Sequence, residues 1–460
     1  MADRNATLET TIAALTEQKK YAALRDILVT INPADIAAMF DDLEEHTLPL
    51  LFRLLPKDIA SETFVEMSPE SQEILIRGFS DSELKEVVDE LYVDDAVDLV
   101  EEMPANVVKR ILRQADSETR KLINDILKYP EDSAGSIMTT EFIDLRPNLT
   151  VADAIKHIRR DGFDSETINT CYITDDGRHL VGLVSIRSLI LAAEDSLLSD
   201  IMEDNVISVS TLEDREEATA MIARYNFNVL PVVDAEQRLV GIITVDDAMD
   251  VMEDEATEDI EKMGGIIPVD KPYLRTGVFR FWLSRIPWLL LLMVGATFTG
   301  MIINHYASAL SSSLMLTLVL FIPMLMDTGG NSGSQTAVTI VRSLSLGDIE
   351  PSDFLAVLWK EIRVGLLCGV SLGAVAFAKL MLLDRLVLGM GDITVWLALI
   401  VSVSMLLVVL VSKILGCVLP LLAELLHMDP TLVTSPFITT IVDAISLLVY
   451  FALCMHLLAG

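Results

Sequence analysis

The pattern of hydrophobic and polar positions changes near residue 280. Before that point, apolar residues recur at helical spacing or in short runs among many acidic residues. After it, long apolar runs contain few charges, and residues 286–326 contain none apart from the one that His305 can carry. Since about 20 apolar residues cross a bilayer as a helix, the pattern predicts a soluble part followed by a membrane part.

The membrane part, residues 280–460, contains five predicted helical spans. Residues 286–326 are long enough for two of them, with a turn near residues 304–313. The other three are predicted at 364–383, 393–419 and 436–458. Tryptophans are common at membrane interfaces, and four lie close to predicted helix ends: Trp282, Trp288, Trp359 and Trp396.

Basic residues predict the orientation of these spans. They precede the first span and lie between the second and third, at Arg280, Arg285, Arg342, Lys360 and Arg363. The positive-inside rule therefore predicts a cytoplasmic amino terminus and soluble part, with the carboxyl terminus outside. Residues 1–21 show no signal-peptide pattern, which agrees with this orientation. An odd number of spans favours a pore between two identical protomers over an internal repeat.

Helix-start signals recur at short intervals between residues 30 and 130. Proline or a capping Asp or Ser precedes apolar residues at helical spacing, with starts at Pro56, Pro69, Asp81, Asp94, Pro104 and Asp116. This spacing predicts a stack of short helices in a superhelical domain. The alternative is a generic helical domain whose helices happen to be similar in length. Either way, residues 1–130 are predicted to be all-α.

Residues 135–257 contain one pattern twice. Each copy has an Ile-Met pair near its start and a Val-Gly pair near its end, at 137–138, 201–202, 181–182 and 240–241. A helix pattern and an apolar strand lie between the two pairs in both copies. The duplication resembles a tandem pair of CBS domains, a βαββα regulatory module, over residues 135–199 and 200–257.

A nucleotide site is possible in the second copy alone. CBS pairs that bind adenine nucleotides often hold the ribose with Gly-x-x-Thr/Ser-x-x-Asp, which corresponds here to Gly241, Thr244 and Asp247. The first copy has Ser188 in place of the Asp. ATP binding through Thr244 and Asp247 is one interpretation, and capping of the last helix by the same two residues is the other.

The helix that follows the second copy has an acidic face and an apolar face. Acidic residues three or four apart share one face, at Asp247, Asp250, Asp254 and Glu258, and the other face contains Met249, Met252, Ala256, Ile260 and Met263. Like charges at this spacing destabilise a helix unless they are neutralised. A solvated acidic face is the usual explanation. Because the helix leads directly to the first span, we predict a connecting helix and linker over residues 247–275 that controls a gate.

Charge is distributed as unevenly as hydrophobicity. The chain has a net charge of −34, and residues 1–276 contain 58 acidic and 26 basic residues. This excess argues against nucleic acid as a partner and favours cations as ligands or counterions. The four cysteines form no CxxC and the six histidines show no metal-ligand spacing. The predicted fold is a multidomain membrane protein with an all-α superhelical domain, an α/β tandem CBS pair and a five-helix transmembrane domain.

Two features of the membrane part suggest chemistry. Asp443 has only apolar and hydroxyl neighbours, and a carboxylate there needs water, a cation or a partner. It is either a pore carboxylate or an Asp that is protonated or bonded to a neighbouring helix. Residues 323–336 contain a proline and three glycines, which predict a break in the second span with free carbonyls toward a cation. The alternative is a glycine-rich cytoplasmic turn.

The order of these parts resembles the MgtE family of magnesium channels and transporters. The resemblance covers essentially the whole chain. Its motifs are Glu255-Ala-Thr-Glu-Asp-Ile, Gly329-Gly-Asn-x-Gly-x-Gln335 and Asp429-Pro…Pro436…Thr440-x-x-Asp443. It implies a homodimer in the cell membrane that takes up Mg²⁺ and is closed by cytoplasmic Mg²⁺.

The resemblance also implies roles for particular residues. Asp443 would be the pore carboxylate, with Gly329, Gly330 and Asn331 in the pore wall beside it. Cytoplasmic Mg²⁺ would bind to acidic residues of the helical domain, the connecting helix and the end of the pore, namely Asp94, Asp98, Asp247, Asp250, Glu255, Glu258, Asp259 and Asp429.

Three other functions compete with this interpretation. The protein could transport another divalent ion such as Co²⁺ or Mn²⁺, because oxygen ligands do not separate Mg²⁺ from Mn²⁺ sharply. It could instead be a membrane-tethered magnesium or nucleotide sensor that does not conduct. An enzyme is disfavoured, because the sequence contains no nucleophile–base pair, Walker motif or zinc ligands.

Overall fold

The computed structural model describes residues 12, 14–16, 18–41, 43–163, 165–269, 273–274, 276–309, 312–390, 393–433 and 435–458. The chain divides into two units, Met1–Glu253 and Asp254–Gly460. The division falls within one long helix, Val245–Met263, so this helix begins in the first unit and ends in the second.

Short helices form the first part of the first unit. They are α1 (Tyr21–Leu28), α2 (Pro33–Asp41), α3 (Leu48–Phe52), α4 (Lys57–Val65), α5 (Pro69–Gly78), α6 (Asp81–Val88), α7 (Val93–Glu102), α8 (Ala105–Gln114) and α9 (Ser117–Ile126). From α4 onward the N-caps lie twelve residues apart, at Pro56, Ser68, Ser80, Tyr92, Pro104 and Asp116. The predicted helical domain is confirmed, and its repeat is more regular than the sequence signals indicated.

Local capping explains where these helices begin. Ser80 forms a capping box with Glu83, and the Asp116 carboxylate accepts hydrogen bonds from the backbone N–H groups of Glu118 and Thr119. The apolar faces of the helices join one core that includes Leu75, Leu84, Val97, Ile111 and Ile123. The same core continues into the second CBS copy through Val209, Leu230 and Ile243.

The two predicted CBS copies have matching sheets. The first copy contains β1 (Phe142–Leu145), α10 (Val151–Asp161), β2 (Thr167–Thr174), β3 (Leu180–Ser185), α11 (Ile186–Leu191) and α12 (Leu198–Ile201). The second contains β4 (Val209–Ser210), α13 (Arg215–Tyr225), β5 (Val229–Val233) and β6 (Leu239–Thr244), followed by α14 (Val245–Met263). In both sheets the first strand is parallel to the second, and the second is antiparallel to the third. The predicted CBS pair is confirmed.

The repeated Ile-Met and Val-Gly pairs meet across the two copies. Thr139 exchanges two 2.9 Å backbone hydrogen bonds with Ile242, and Glu203 pairs with Leu183 in the same way. A Cβ on Gly241 would lie 2.6 Å from the Met138 sulfur. Gly182 lies against Met202 in the same way. The start of each copy therefore pairs with the last strand of the other, and a glycine allows the close approach.

The second unit is helical. After the end of α14 it contains α15 (Val278–Ala309), α16 (Ser312–Val319), α17 (Ile322–Ser345), α18 (Phe354–Ala378), α19 (Val395–Leu425) and α20 (Ser435–Leu458). A π-helical segment, Lys379–Val387, continues α18, and short 3₁₀ turns precede α18 and α20. Within the described residues, four stretches are long and apolar enough to cross a membrane: Val278–Ala307, Pro351–Val387, Val395–Leu425 and Pro430–Leu457.

The predicted second span differs most from the structure. Its first part is the eight-residue helix α16, and α17 begins after a turn at residues 320–321. The glycine-rich stretch lies inside the continuous helix α17, so the predicted break at 323–336 is wrong, as is the alternative of a turn. The total of five spans stays a prediction.

The glycines of α17 serve helix packing. A Cβ on Gly329 would lie 2.8 Å from Val408 of α19, and one on Gly333 would lie 2.9 Å from Ile438 of α20. The closest approach is on α19, where a Cβ on Gly416 would lie 2.3 Å from the carbonyl oxygen of Gly333. Small residues let helix backbones approach closely in membranes, and this contact keeps the stretch helical despite its low intrinsic propensity.

Candidate cation-binding sites

A cleft lined by carboxylates lies within the first unit. Helix α7 buries Val93, Ala96, Val97 and Leu99, so its acidic residues line the opposite side of the helix. They meet Glu166, the residue just before β2, and acidic residues at the start of α14 around a cavity of about 690 Å³. We define this acidic cleft by Asp94, Asp95, Asp98, Glu166, Asp246, Asp247 and Asp250.

Local structure fixes the carboxylate of Asp247 and the backbone of Glu166. The hydroxyl of Thr244, the last residue of β6, donates a 2.5 Å hydrogen bond to Asp247 in the first turn of α14. The backbone N–H of Glu166 donates to the carbonyl oxygen of Glu141 at 2.9 Å. The Glu141 carboxylate in turn accepts from the backbone N–H of Val93, the first residue of α7, at 3.3 Å. One short segment of the first CBS copy therefore contacts both Glu166 and α7.

The cleft disfavours full ionisation of its own carboxylates. Burial, and then the negative charge of Asp247, raise the pKa of Asp95 to about 7 and that of Glu166 to about 8. The same two causes raise the pKa of Asp94 well above its ordinary value. At neutral pH the cleft therefore needs protons or bound cations to relieve this repulsion.

A smaller charged group lies in the second unit, at the end of α14. The Lys262 ammonium donates to Glu258 at 2.5 Å and to Asp429 at 2.9 Å. Burial alone lowers the pKa of Lys262, but the hydrogen bonds to these two carboxylates raise it overall. Burial, and then the charge of Asp429, raise the pKa of Asp259. We call Glu258, Asp259, Lys262 and Asp429 the connecting-helix cluster.

Asp443 lies on α20 where that helix contacts α17. Its preceding residue, Val442, is buried against the glycine stretch, and a Cβ on Gly330 would lie 2.9 Å from Thr439, one turn earlier. Asp327, the residue two before Gly329, interacts electrostatically with Asp443. The structure therefore brings Asp443 close to the glycine motif and to Asp327, a carboxylate that the sequence analysis did not single out.

Three family models match consecutive parts of the chain. The model described as "MgtE intracellular N domain" matches residues 31–132, the CBS domain model matches 134–195 and 198–254, and the model described as "Divalent cation transporter" matches 322–453. The magnesium transporter MgtE of Thermus thermophilus is 36% identical over 440 residues, 95% of each chain. The chain belongs to the MgtE family. The magnesium transporter MgtE of Bacillus subtilis is 29% identical, over 96% of this chain and 95% of that one.

A solved MgtE structure supports the fold of the soluble part. The cytosolic domain of the Mg²⁺ channel MgtE, crystallised in complex with ATP, matches with a TM-score of 0.51 and 36% identity. It covers 53% of this chain and 99% of its own. The soluble part of a second magnesium transporter matches with the same TM-score at 29% identity, over 55% of this chain and 99% of its own.

The acidic cleft has the donor chemistry that Mg²⁺ prefers. Its ligands are carboxylate oxygens, and the buried Oε2 atom of Glu166 has no hydrogen-bond partner among the described residues. Across those same residues, no group of three or more His, Cys, Asp or Glu side chains could hold a metal ion directly. Since Mg²⁺ usually keeps several of its waters, the cleft fits a hydrated ion better than a chelated one.

Of the predicted site residues, the structure brings Asp94, Asp98, Asp247 and Asp250 together in the acidic cleft. It places Glu258, Asp259 and Asp429 together in the connecting-helix cluster. Glu255 lies on the same helix, α14.

Sequence reasoning missed three cleft residues, of which Asp246 adjoins the predicted Asp247. Asp95 adjoins the predicted Asp94 and could have been included by helix geometry. Glu166 stands alone before an apolar strand, with no motif around it, and only the tertiary fold reveals its position.

The predicted nucleotide motif has structural uses of its own. Thr244 donates its hydroxyl to Asp247, as expected for the helix-capping interpretation. Gly241 accommodates Met138 from the other copy. These contacts explain all three motif residues without a ribose.

Proposed function

We propose that this MgtE-family protein transports Mg²⁺ across the cell membrane and is closed by cytoplasmic Mg²⁺. Transport is supported by its relatives, which are magnesium transporters over nearly their whole length. Closure is supported by one observation above all, the acidic cleft, which joins the helical domain to the CBS pair through carboxylates that repel one another.

The proposed pore lies at Asp443. Two protomers would each contribute this carboxylate to a hydrated ion, together with Gly329, Gly330 and Asn331. Because α17 is helical at these residues, its carbonyls are hydrogen-bonded within the helix. Of the three, Asn331 has an exposed side chain, so its amide is the group that reaches the ion. The glycines keep the helices close together.

The proposed gate responds to the occupancy of the cytoplasmic sites. Without Mg²⁺, the acidic cleft opens because its carboxylates repel one another. Hydrated Mg²⁺ bridges Asp94, Asp95 and Asp98 to Asp247, and it stabilises only the arrangement in which the cleft is closed. With the soluble part in the cytoplasm, the inside-negative potential drives Mg²⁺ inward until these sites fill.

The test is Mg²⁺ flux into proteoliposomes with internal Mg²⁺ varied, for wild type, Asp443→Ala and a cleft variant, Asp95→Asn/Asp98→Asn. We expect wild-type flux to fall as cytoplasmic-side Mg²⁺ rises, Asp443→Ala to abolish flux, and the cleft variant to conduct at Mg²⁺ levels that close the wild type. Flux that does not depend on Asp443 would reject the pore assignment. Folded wild-type protein without flux would favour a non-conducting sensor. Faster flux of Co²⁺ or Mn²⁺ than of Mg²⁺ would assign that ion as the substrate.

ATP is a second proposed ligand, supported by the ATP complex of the related cytosolic domain. Here a ribose at the second CBS copy would compete with the bond between Thr244 and Asp247. Calorimetric titration of wild type and Thr244→Val with ATP tests this site, and equal affinity would exclude it.

A further inference from the structure

The connecting-helix cluster already contains a cation. The Lys262 ammonium lies between the carboxylates of Glu258 and Asp429, which approach it to 2.5 and 2.9 Å. All three side chains are about three-tenths exposed, which leaves the group open to solvent ions. Asp259 and Arg342 add one negative and one positive charge nearby.

The surroundings hold these groups in place. The backbone N–H and hydroxyl of Thr431 both bond to Oδ1 of Asp429, so Oδ2 remains for Lys262. The Glu261 carboxylate of α14 accepts a 3.0 Å hydrogen bond from the backbone N–H of Val269, which lies beyond the end of the helix. Gly265 then turns the chain with a positive φ of 68°.

This turn connects the cluster to the spanning helices. The backbone N–H of Ile267 bonds to the Ser284 carbonyl of α15 at 2.9 Å. Gly265 lies against Pro436 of α20, the helix that contains Asp443. The ammonium thus links the end of the connecting helix to the turn that precedes α20.

An ammonium and Mg²⁺ cannot occupy this position together. A directly bound Mg²⁺ lies about 2.1 Å from its ligand oxygens, so it would be only a few ångströms from the Lys262 nitrogen. Repulsion between the two cations would expel the lysine. If K⁺ replaced the ammonium, by contrast, the positive charge between the carboxylates would stay the same. The ammonium also has the advantage over K⁺ that it is attached to the chain and does not have to be bound from solution.

We infer that Lys262 is a built-in monovalent cation, which occupies the position between the Glu258 and Asp429 carboxylates at low Mg²⁺. This inference rests on the proposed function. Lys262 makes this position respond to divalent ions and not to cellular K⁺, and it raises the Mg²⁺ level needed for occupancy. Mg²⁺ displaces it because two positive charges interact more strongly with the two carboxylates than one does. Lys262 is therefore a specificity-determining residue of the regulatory site.

The test measures amide hydrogen exchange of residues 254–263 in the full-length protein in detergent, with Mg²⁺ and K⁺ titrated separately. For Lys262→Met we expect weaker protection in EDTA and a Mg²⁺ midpoint lower by roughly tenfold, the effect of removing one competing ion pair. We also expect K⁺ to restore protection in this variant and to have no such effect on the wild type.

Two further variants keep the result interpretable. Lys360→Met removes an exposed lysine from the same unit and should leave the midpoint unchanged. Lys262→Arg keeps the positive charge and should shift the midpoint by less than about threefold. If Lys262→Met does not fold, the arginine variant still provides a test. A large fall in the Mg²⁺ midpoint of Lys262→Arg would overturn the inference.

The outcomes separate this inference from the proposed function. Wild-type amides that do not respond to Mg²⁺ would contradict both. A wild-type response with an unchanged or higher midpoint in Lys262→Met would leave Mg²⁺ gating intact and reduce Lys262 to a structural ion pair.

Discussion

At the scale of single residues, Asp247 determines the electrostatics of the acidic cleft. Its charge raises the pKa of Asp94, Asp95 and Glu166. Its own pKa is raised by burial, while the hydrogen bond from Thr244 opposes that shift. The position of Asp247 in the first turn of α14 also favours its charged form. Burial outweighs these two effects, so Asp247 is itself pushed toward protonation or cation binding, as its neighbours are.

This arrangement predicts a pH dependence in the absence of divalent ions. Carboxyl groups with raised pKa bind more protons in the folded state, so stability falls as pH rises from about 4 to about 8. In EDTA, the full-length protein should be more stable at pH 6 than at pH 8 by about 2 kcal/mol, after allowance for solvent screening. Thermal unfolding in detergent measures the difference.

The matched variant for this measurement is Asp247→Asn, which keeps an acceptor for Thr244 and removes the charge. We expect it to reduce the difference between the two pH values. Glu45→Gln removes an exposed carboxylate outside the cleft and should leave the difference unchanged. An equal pH dependence in Asp247→Asn and wild type would contradict this account of the cleft.

At the scale of elements, contact between α17, α19 and α20 explains the glycine motif. A glycine cluster in an apolar segment suggests a break when only the sequence is considered, since glycine is a poor helix former. In the structure, Gly329, Gly333 and Gly416 have no side chain, so neighbouring helices can approach closely at these positions. The packing thus overrides the local preference and holds α20, with Asp443, against α17.

The contact between Gly333 and Gly416 makes a sharp prediction. In Gly416→Ala the new methyl group would meet the Gly333 carbonyl oxygen at 2.3 Å, so the helices must separate. We expect a loss of about 1–3 kcal/mol in stability, as in other overpacked interiors, with reduced ion flux. Thermal unfolding in detergent and proteoliposome flux measure the two effects.

Gly300→Ala is the control for this substitution. Gly300 lies within α15, and a Cβ there would have no atom within 4 Å. This variant should be neutral or slightly more stable, because alanine is the better helix former. Similar losses in both variants would show that the effect is one of helix propensity and not of helix contact.

At the scale of the whole molecule, features encoded locally were the ones that the sequence predicted well. Caps at Ser80 and Asp116 specify helix starts within a few residues, and the duplicated pairs around Met138 and Met202 reveal the CBS copies. The crossed pairing of those copies, the position of Glu166 and the helical state of Gly329 depend on contacts between distant segments. Charge and hydropathy separated the two parts of the chain because each environment constrains composition.

The uneven charge leads to a final prediction about stability and Mg²⁺. Residues 1–276 have 32 more acidic than basic residues, so any salt reduces their repulsion by screening. Mg²⁺ should do more, because an ion that binds only the closed cleft stabilises it by RT ln(1 + [Mg²⁺]/Kd). The unfolding temperature should therefore continue to rise with log [Mg²⁺] at constant ionic strength, whereas NaCl alone should produce a smaller effect that reaches a plateau.

The variant Asp95→Asn/Asp98→Asn/Glu166→Gln separates site binding from screening. It removes three charges of a large excess, so the response to NaCl should change little. The cleft loses the ligands that face Asp247, so the additional response to Mg²⁺ should become much smaller. A full Mg²⁺ response in this variant would mean that the divalent ion acts through the surface charge as a whole. The acidic composition would then stabilise the closed form without a localised site in the cleft.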